Sequence, residues 1–246
     1  DHFLFRGRRD WTQPFRALVA GGGTGDGLVM LAQKLADAGC KADLTYLDLS
    51  EASTATARAR MQARGLSARY LNRSLLDAPD IAAQDGAFDY IDCCGVLHHL
   101  PDPQAGFDAL AAALAPQGGL GLMVYAPYGR EGVYPLQDAF RQLLGEDAPQ
   151  TQVALARQAL ETLPPDNNFK RNPFLGDHEA SDAGLYDLLL HSRDRPYTVD
   201  QLLATLETAG LGLVSFLEPA RYDPVLWLPK SEDFARRLAR LTPAQR

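Results

Sequence analysis

The sequence predicts an α/β fold in which a seven-stranded, mostly parallel sheet carries helices on both faces and a helical insertion after the fifth strand. Three observations predict it. Short apolar runs alternate with segments of helical period over residues 17–125. A glycine cluster sits directly at the first strand-to-helix junction. Roughly seventy residues then lack any strand pattern, after which the alternation resumes.

The elements follow in order. Ala17–Ala20 reads as a short buried strand, and Leu28, Leu31, Ala32 and Leu35 recur at helical spacing behind the glycines. Leu44–Asp48 is a second strand and the Ala-rich run from Glu51 to Arg64 a helix. Ala68–Leu71 and Phe88–Cys93 are further strands. Phe107, Leu110, Ala111 and Leu114 mark a helix that Pro116 and Gly118-Gly119 should end, and Leu120–Tyr125 reads as the fifth strand. Residues 127–196 hold helical patterns and a Pro/Asn/Gly-rich loop, and read as an insertion within a single domain spanning 1–246. Val199, Leu202, Leu203 and Leu206 then form a helix face. Leu213–Leu217 and Val225–Leu228 complete the seven strands as an edge pair, and Ser231–Leu241 suggests a final helix.

The 246 residues suffice for one substantial core, and 46% hydrophobic with 22% charged residues excludes wholesale disorder. A net charge of −7 argues against bulk attraction to nucleic acid or to an anionic membrane surface. No run reaches the ~18 apolar residues of a membrane helix. Cys40, Cys93 and Cys94 offer neither a disulfide framework nor zinc spacing, so no metal is expected and a cytoplasmic location is.

The strongest local signal is Val19-Ala20-Gly21-Gly22-Gly23-Thr24-Gly25-Asp26-Gly27. Glycines there permit a tight turn and close approach of a ligand to the main chain, at a helix N-terminus with unpaired N–H groups. The spacing is Gly-x-Gly-x-Gly, with Asp26 where a dinucleotide-binding loop carries its third glycine, and no Gly-Lys-Ser/Thr follows. Asp48, at the end of the second strand, is placed to accept both hydroxyls of a ribose. Without the glycine loop it would read as a cap working with Ser50. Cys93 and Cys94 read as packing and contact residues, not nucleophiles. Of His98 and His99, which should point to different sides, one reads as structural and His99 as a possible base.

With those stretches in place, the chain resembles the class I, Rossmann-like S-adenosylmethionine-dependent methyltransferase superfamily, in its type 11/12 form. The resemblance rests on Val19 to Gly25, Leu44 to Ser50, Phe88 to Pro103 (FDYIDCCGVLHHLPDP) and the Leu114-Ala115-Pro116-Gln117-Gly118-Gly119 turn. It implies that S-adenosyl-L-methionine is the cofactor. Gly21, Gly23 and Gly25 would face its methionine part, and Asp48 with Leu49 the ribose. Ser74, Leu75 and Leu76 would flank adenine, and Cys94, Gly95 and Val96 would lie near the methionyl group and the acceptor. Two positions depart from the family. Val19 stands two residues before the first glycine, where many relatives carry an acid, and Ser74 stands where an acid often reaches the adenine amino group.

The insertion is where acceptor specificity is expected, through Tyr125, Tyr128, Arg130, Tyr134, Arg193 and Arg195. The competing expectation is that these residues pair internally, Asp194 with an arginine. Should the reaction need a base, His99, Tyr128 and His191 are the candidates. The implied activity is methyl transfer to a small molecule or a peptide or protein side chain, with no nucleic-acid or membrane partner. The alternatives are a non-catalytic cofactor-binding or scaffold protein on the same fold, prompted by Val19 and Ser74, and, less favoured, a nucleotide-dependent oxidoreductase.

Overall fold

The computed structural model describes residues 2–241, which fall into two compact units: residues up to 123 together with those from 199 onward, and residues 124–198. The stretch read as the insertion, 127–196, lies inside the second unit.

In the first unit, strands β1 (Phe15–Ala20), β2 (Ala42–Leu47), β3 (Arg69–Leu71), β4 (Phe88–Cys94) and β5 (Leu114–Met123) form one parallel sheet in the order β3-β2-β1-β4-β5. Helices α1 (Asp26–Asp37), α2 (Glu51–Gln62), α3 (Ala78–Asp85) and α4 (Pro103–Ala113) connect them. In β1 the consecutive residues Ala17, Leu18, Val19 and Ala20 are all buried, so both faces of the sheet are covered, as a parallel sheet requires. On one face Phe15, Ala17, Val19, Leu44 and Tyr46 pack with Leu28, Ala32 and Leu35 of α1 and Ala57 and Met61 of α2. Burial at that helical spacing in α1 is what makes residues 26–37 a helix against the sheet. The chain runs outward from β1 to β3 and then returns to β4 on the other side. This places a topological switch point between β1 and β4, where ligands bind beyond the strand ends in open parallel sheets.

The sheet has five strands among the described residues, not seven. Leu213–Leu217 lacks regular structure, and its Leu213, Val214 and Leu217 are exposed. A strand holds its place in a sheet by burying one face, and this segment buries none. Val225–Leu228 is also not a strand: Pro224–Leu226 forms a single 3₁₀ turn. Pro219, Pro224 and Pro229 punctuate the run, fixing φ and removing ladder donors. The intervening chain curls on itself, with the Phe216 and Tyr222 rings stacked at 3.8 Å and the Trp227 indole N–H donating to the Ala220 carbonyl at 3.3 Å.

The fifth strand also begins earlier than expected, at Leu114 rather than Leu120. Its pairing steps from Phe88↔Leu114 to Tyr90↔Gly119, so a bulge absorbs the Pro-Gln-Gly turn that sequence reading takes as a stop. Helix α10 (Val199–Thr208) returns to this unit, and the last helix, α11, spans Glu232–Leu238 with its arginines exposed. No helix among the described residues is long and apolar enough to cross a membrane.

The second unit comprises α5 (Val133–Leu144), α6 (Pro149–Thr162), the short α7 (Asn168–Arg171) and α8 (Asp177–Ala180), and α9 (Asp182–Leu189). Val133, Phe140, Ala156, Leu160, Phe169, Leu185, Leu188 and Leu189 make a separate apolar core. A buried polar knot sits beside it. The Arg130 guanidinium lies 3.4 Å from Asp194 Oδ2 and 3.4 Å above the Tyr125 ring. The Gln137 amide donates to the same Asp194 oxygen at 3.1 Å and to the Leu188 carbonyl at 2.9 Å. Removing one member of a buried pair strands the other charge. Arg130→Met is therefore expected to destabilise this unit by about 3–5 kcal/mol, read as a lower urea midpoint; an unchanged midpoint would contradict a structural role for the pair.

Candidate active site

The glycine loop leaves β1 at Ala20 and is anchored to β2, where Gly21 N–H donates to the Leu47 carbonyl at 2.7 Å. Gly25 caps α1 at φ +91°, and a Cβ there would stand 2.7 Å from Ala57 Cβ, so only glycine lets α2 approach this closely. Gly23 differs: its φ is +51°, and a Cβ on it would meet nothing within 4 Å. The loop therefore leaves open space on the Cα side of its middle glycine. No side-chain hydrogen bond caps α1 at Gly25.

Asp48 follows β2 and binds the loop. Its Oδ2 accepts from Gly23 N–H at 2.8 Å and its Oδ1 from Ser50 N–H at 2.8 Å. A carboxylate offers about four lone-pair sites, so these two bonds leave acceptor capacity for a diol. Leu49 beside it is 75% exposed. Beyond β3, Ser74 caps a 3₁₀ turn by accepting from Leu76 N–H at 3.2 Å. Leu75 is buried, whereas Leu76 is exposed. An adenosyl group fits this donor and acceptor set: open space over Gly23, a half-buried carboxylate for hydroxyls, and exposed apolar Leu49 and Leu76 for a ring face.

Gly21, Cys94, Gly95 and Val96 are brought together at the switch point. A Cβ on Gly21 would lie 2.5 Å from Val96 Cγ2, and Gly95 N–H donates to the Met123 carbonyl at 3.0 Å. Burial, reinforced by Asp92, pushes the Cys94 thiol up to about 11, and burial raises Cys93 further. Neither is a thiolate at neutral pH, so neither has a nucleophile's ionisation. His98 and His99 do not diverge as expected. Their ring centroids are 4.1 Å apart, because a 3₁₀ turn over Leu97–His99 brings successive side chains closer than a strand would; His98 is buried and His99 half-buried.

Within the second unit, Arg130 is 7% exposed and held by Asp194, as the internal-pairing expectation had it. Burial raises the Tyr125 and Tyr134 phenols beside that pair. Tyr128 is 84% exposed. Arg193 and Arg195 are exposed, with the Arg195 guanidinium over the Tyr197 ring and Arg193 N–H donating to His191 Nδ1 at 3.1 Å.

Four residues of the first unit contribute without having been singled out in the sequence. The Tyr46 hydroxyl donates to the Gly23 carbonyl, and burial, with Asp48 adding to it, pushes that phenol up to about 12. Its place two residues before Asp48 in β2 was the available signal. Arg60 reaches back from α2 to the Thr24 carbonyl at 3.0 Å and to Asp26 at 2.5 Å, and its bond holds the Asp26 carboxyl below the usual range. The Asn72 amide donates to Thr54 Oγ1 at 2.8 Å and to the Asp48 carbonyl at 3.4 Å, fixing the base of that turn. Asp92, within β4, accepts from Tyr90 and Cys94.

Comparison with known proteins agrees with this geometry. Residues 18–120 match the family model of a methyltransferase domain. An uncharacterized protein of Synechococcus sp. is 33% identical over 235 residues, covering 94% of this chain and 55% of its own length. The ubiquinone biosynthesis O-methyltransferase of Xanthomonas axonopodis pv. citri is 36% identical over 108 residues, covering 44% of this chain and 43% of its own length. Among solved structures, PKMT2 from Rickettsia typhi in complex with AdoHcy has the same fold, with a TM-score of 0.67 at 16% identity, over 94% of this chain and 44% of that one. The chain thus spans about half the length of the relatives it matches. The matched domain, together with the loop, carboxylate and sheet order that lie within it, makes residues 18–120 similar to the class I, Rossmann-like S-adenosylmethionine-dependent methyltransferases.

Proposed function

We propose that this chain catalyses methyl transfer from S-adenosyl-L-methionine to a small-molecule or peptide/protein acceptor. The observation that carries the reading is Asp48, bonded to the one loop glycine whose outward face is open. Asp48 would hold the ribose hydroxyls, Leu49 and Leu76 the faces of the base, with Ser74 and the backbone of Leu75 beside them. Gly21, Gly23, Gly25, Gly95 and Val96 would let the main chain come close to the aminoacyl arm. When bound, the cofactor supplies a methyl group on a sulfonium, already a good leaving group. The chain's own contribution is then to hold the acceptor atom in line and to exclude water, which by itself accounts for large rate factors.

Residues 127–196, as an insertion in one methyltransferase domain spanning 1–246, would select the acceptor. Arg130 is held by Asp194; the exposed Arg193 and Arg195, with Tyr128, would meet an anionic or aromatic acceptor. Tyr125 and Tyr134 would contribute from beside the buried pair. A proton released by a hydroxyl or amine acceptor would pass to His99, Tyr128 or His191. The net charge of −7 disfavours a nucleic-acid acceptor, and the free cysteines suit the reducing cytoplasm.

The test uses S-adenosylmethionine with a tritiated methyl group and a panel of phenols, amines, carboxylic acids and peptides. Label is expected in at least one acceptor. Arg193→Ala and Arg195→Ala are each expected to raise the acceptor KM about tenfold while S-adenosylhomocysteine affinity stays within about twofold. An unchanged acceptor KM in both variants would remove the insertion's arginines from the site.

A further inference from the structure

The carboxylate absent from β1 stands one strand away. Val19 is paired in the sheet with Asp92 of β4. Neighbours across a parallel ladder project to the same face, so Asp92 occupies the side of the sheet that an acid at position 19 would. Its Oδ1 accepts from the Tyr90 hydroxyl at 3.1 Å and from the Cys94 thiol at 3.8 Å. Its Oδ2 lies 2.9 Å from where a Cβ on Gly27 would stand, so glycine in the first turn of α1 is what makes room for the carboxylate. Cys94, which it holds, is exposed at the strand end.

Among the described residues no Lys or Arg forms an ion pair with Asp92; its partners are the neutral Tyr90 and Cys94. Burial raises its carboxyl above the usual range. A partly buried acid without a cation is a cost to the fold, and such groups gather where a ligand supplies the missing charge. Here the acid lies within β4, paired with Val19 of β1 and beside Gly27 of α1, in the strand pair that flanks the switch point.

We infer that Asp92 is the anionic contact for the α-ammonium group of an amino-acid-bearing adenosyl ligand, supplied from β4 in place of an acid at Val19. This rests on the cofactor reading given above. An ammonium donates to a carboxylate with a charge on both partners, and loss of such a bond weakens binding about tenfold or more.

Two ligands isolate that group: S-adenosylhomocysteine and its des-amino analogue, 5′-S-(3-carboxypropyl)-5′-thioadenosine. Calorimetric titration of the wild type is expected to show about a tenfold preference for the amino-bearing ligand. Asp92→Asn is expected to lose that preference and to bind both ligands with the affinity the wild type has for the analogue. Asn keeps the size and an acceptor oxygen. Because the folded carboxyl is raised, its ionisation opposes folding at neutral pH, so the variant should unfold at the same or a higher temperature. Equal affinities in the wild type, or an undiminished preference in Asp92→Asn, would overturn the inference and leave the cofactor reading standing. A wild type that binds neither ligand would overturn both.

Discussion

Asp48→Ala is expected to weaken S-adenosylhomocysteine binding by at least about 100-fold, since two hydroxyls each lose a charge-assisted acceptor. The same substitution frees Gly23 N–H and Ser50 N–H, which the two carboxylate oxygens now hold. Both groups are near solvent, so water can replace the lost partner. The cost in stability should stay at about 1–2 kcal/mol, a few degrees in Tm for a chain of this size. Calorimetry for binding and a thermal melt for folding separate the two effects. Retained affinity would show that the ribose contact lies elsewhere; a collapsed melt would show that Asp48 chiefly fastens the loop.

Gly23→Ala is the second large effect, and its logic is steric. At φ +51° an alanine pays about 1 kcal/mol for the left-handed backbone, and nothing in the fold obstructs its methyl group. The protein should therefore fold nearly as well as the wild type. The methyl group nevertheless occupies the open space in front of the loop, where a ligand backed against the main chain would sit. A loss of S-adenosylhomocysteine affinity of tenfold or more is expected, roughly 1.4 kcal/mol or above. Full affinity with normal stability would mean that the ligand does not approach Gly23.

The parallel core of the fold was legible because its signals are local. Four-residue apolar runs, helix-period leucines and a glycine cluster between them identify β1, α1 and β2 with little help from long-range contacts. The C-terminal strands were misread for the converse reason. Leu213–Leu217 and Val225–Leu228 have strand composition, but a strand exists only where a ladder and a buried face receive it, and composition does not report either. The start of β5 at Leu114 was hidden by Pro116 and Gly118, which mark a stop in most settings and here form a bulge.

Site residues divided along the same line. Glycines at a strand-to-helix turn and an acid at a strand end declare themselves by position. Arg60 and Asp92 do not, because their roles arise from pairings 34 residues away and across the β1–β4 ladder. Arg130 was visible as a polar group in a polar segment; that it is taken up by Asp194 depended on how residues 124–198 fold.

The most direct test of the central claim is equilibrium titration of the folded wild-type protein with S-adenosylhomocysteine. The account predicts saturable binding at one site, in the micromolar range or tighter and competed by S-adenosylmethionine. Absence of binding by a protein that shows a cooperative thermal unfolding transition would contradict it, and would favour a scaffold that keeps the methyltransferase fold without its cofactor.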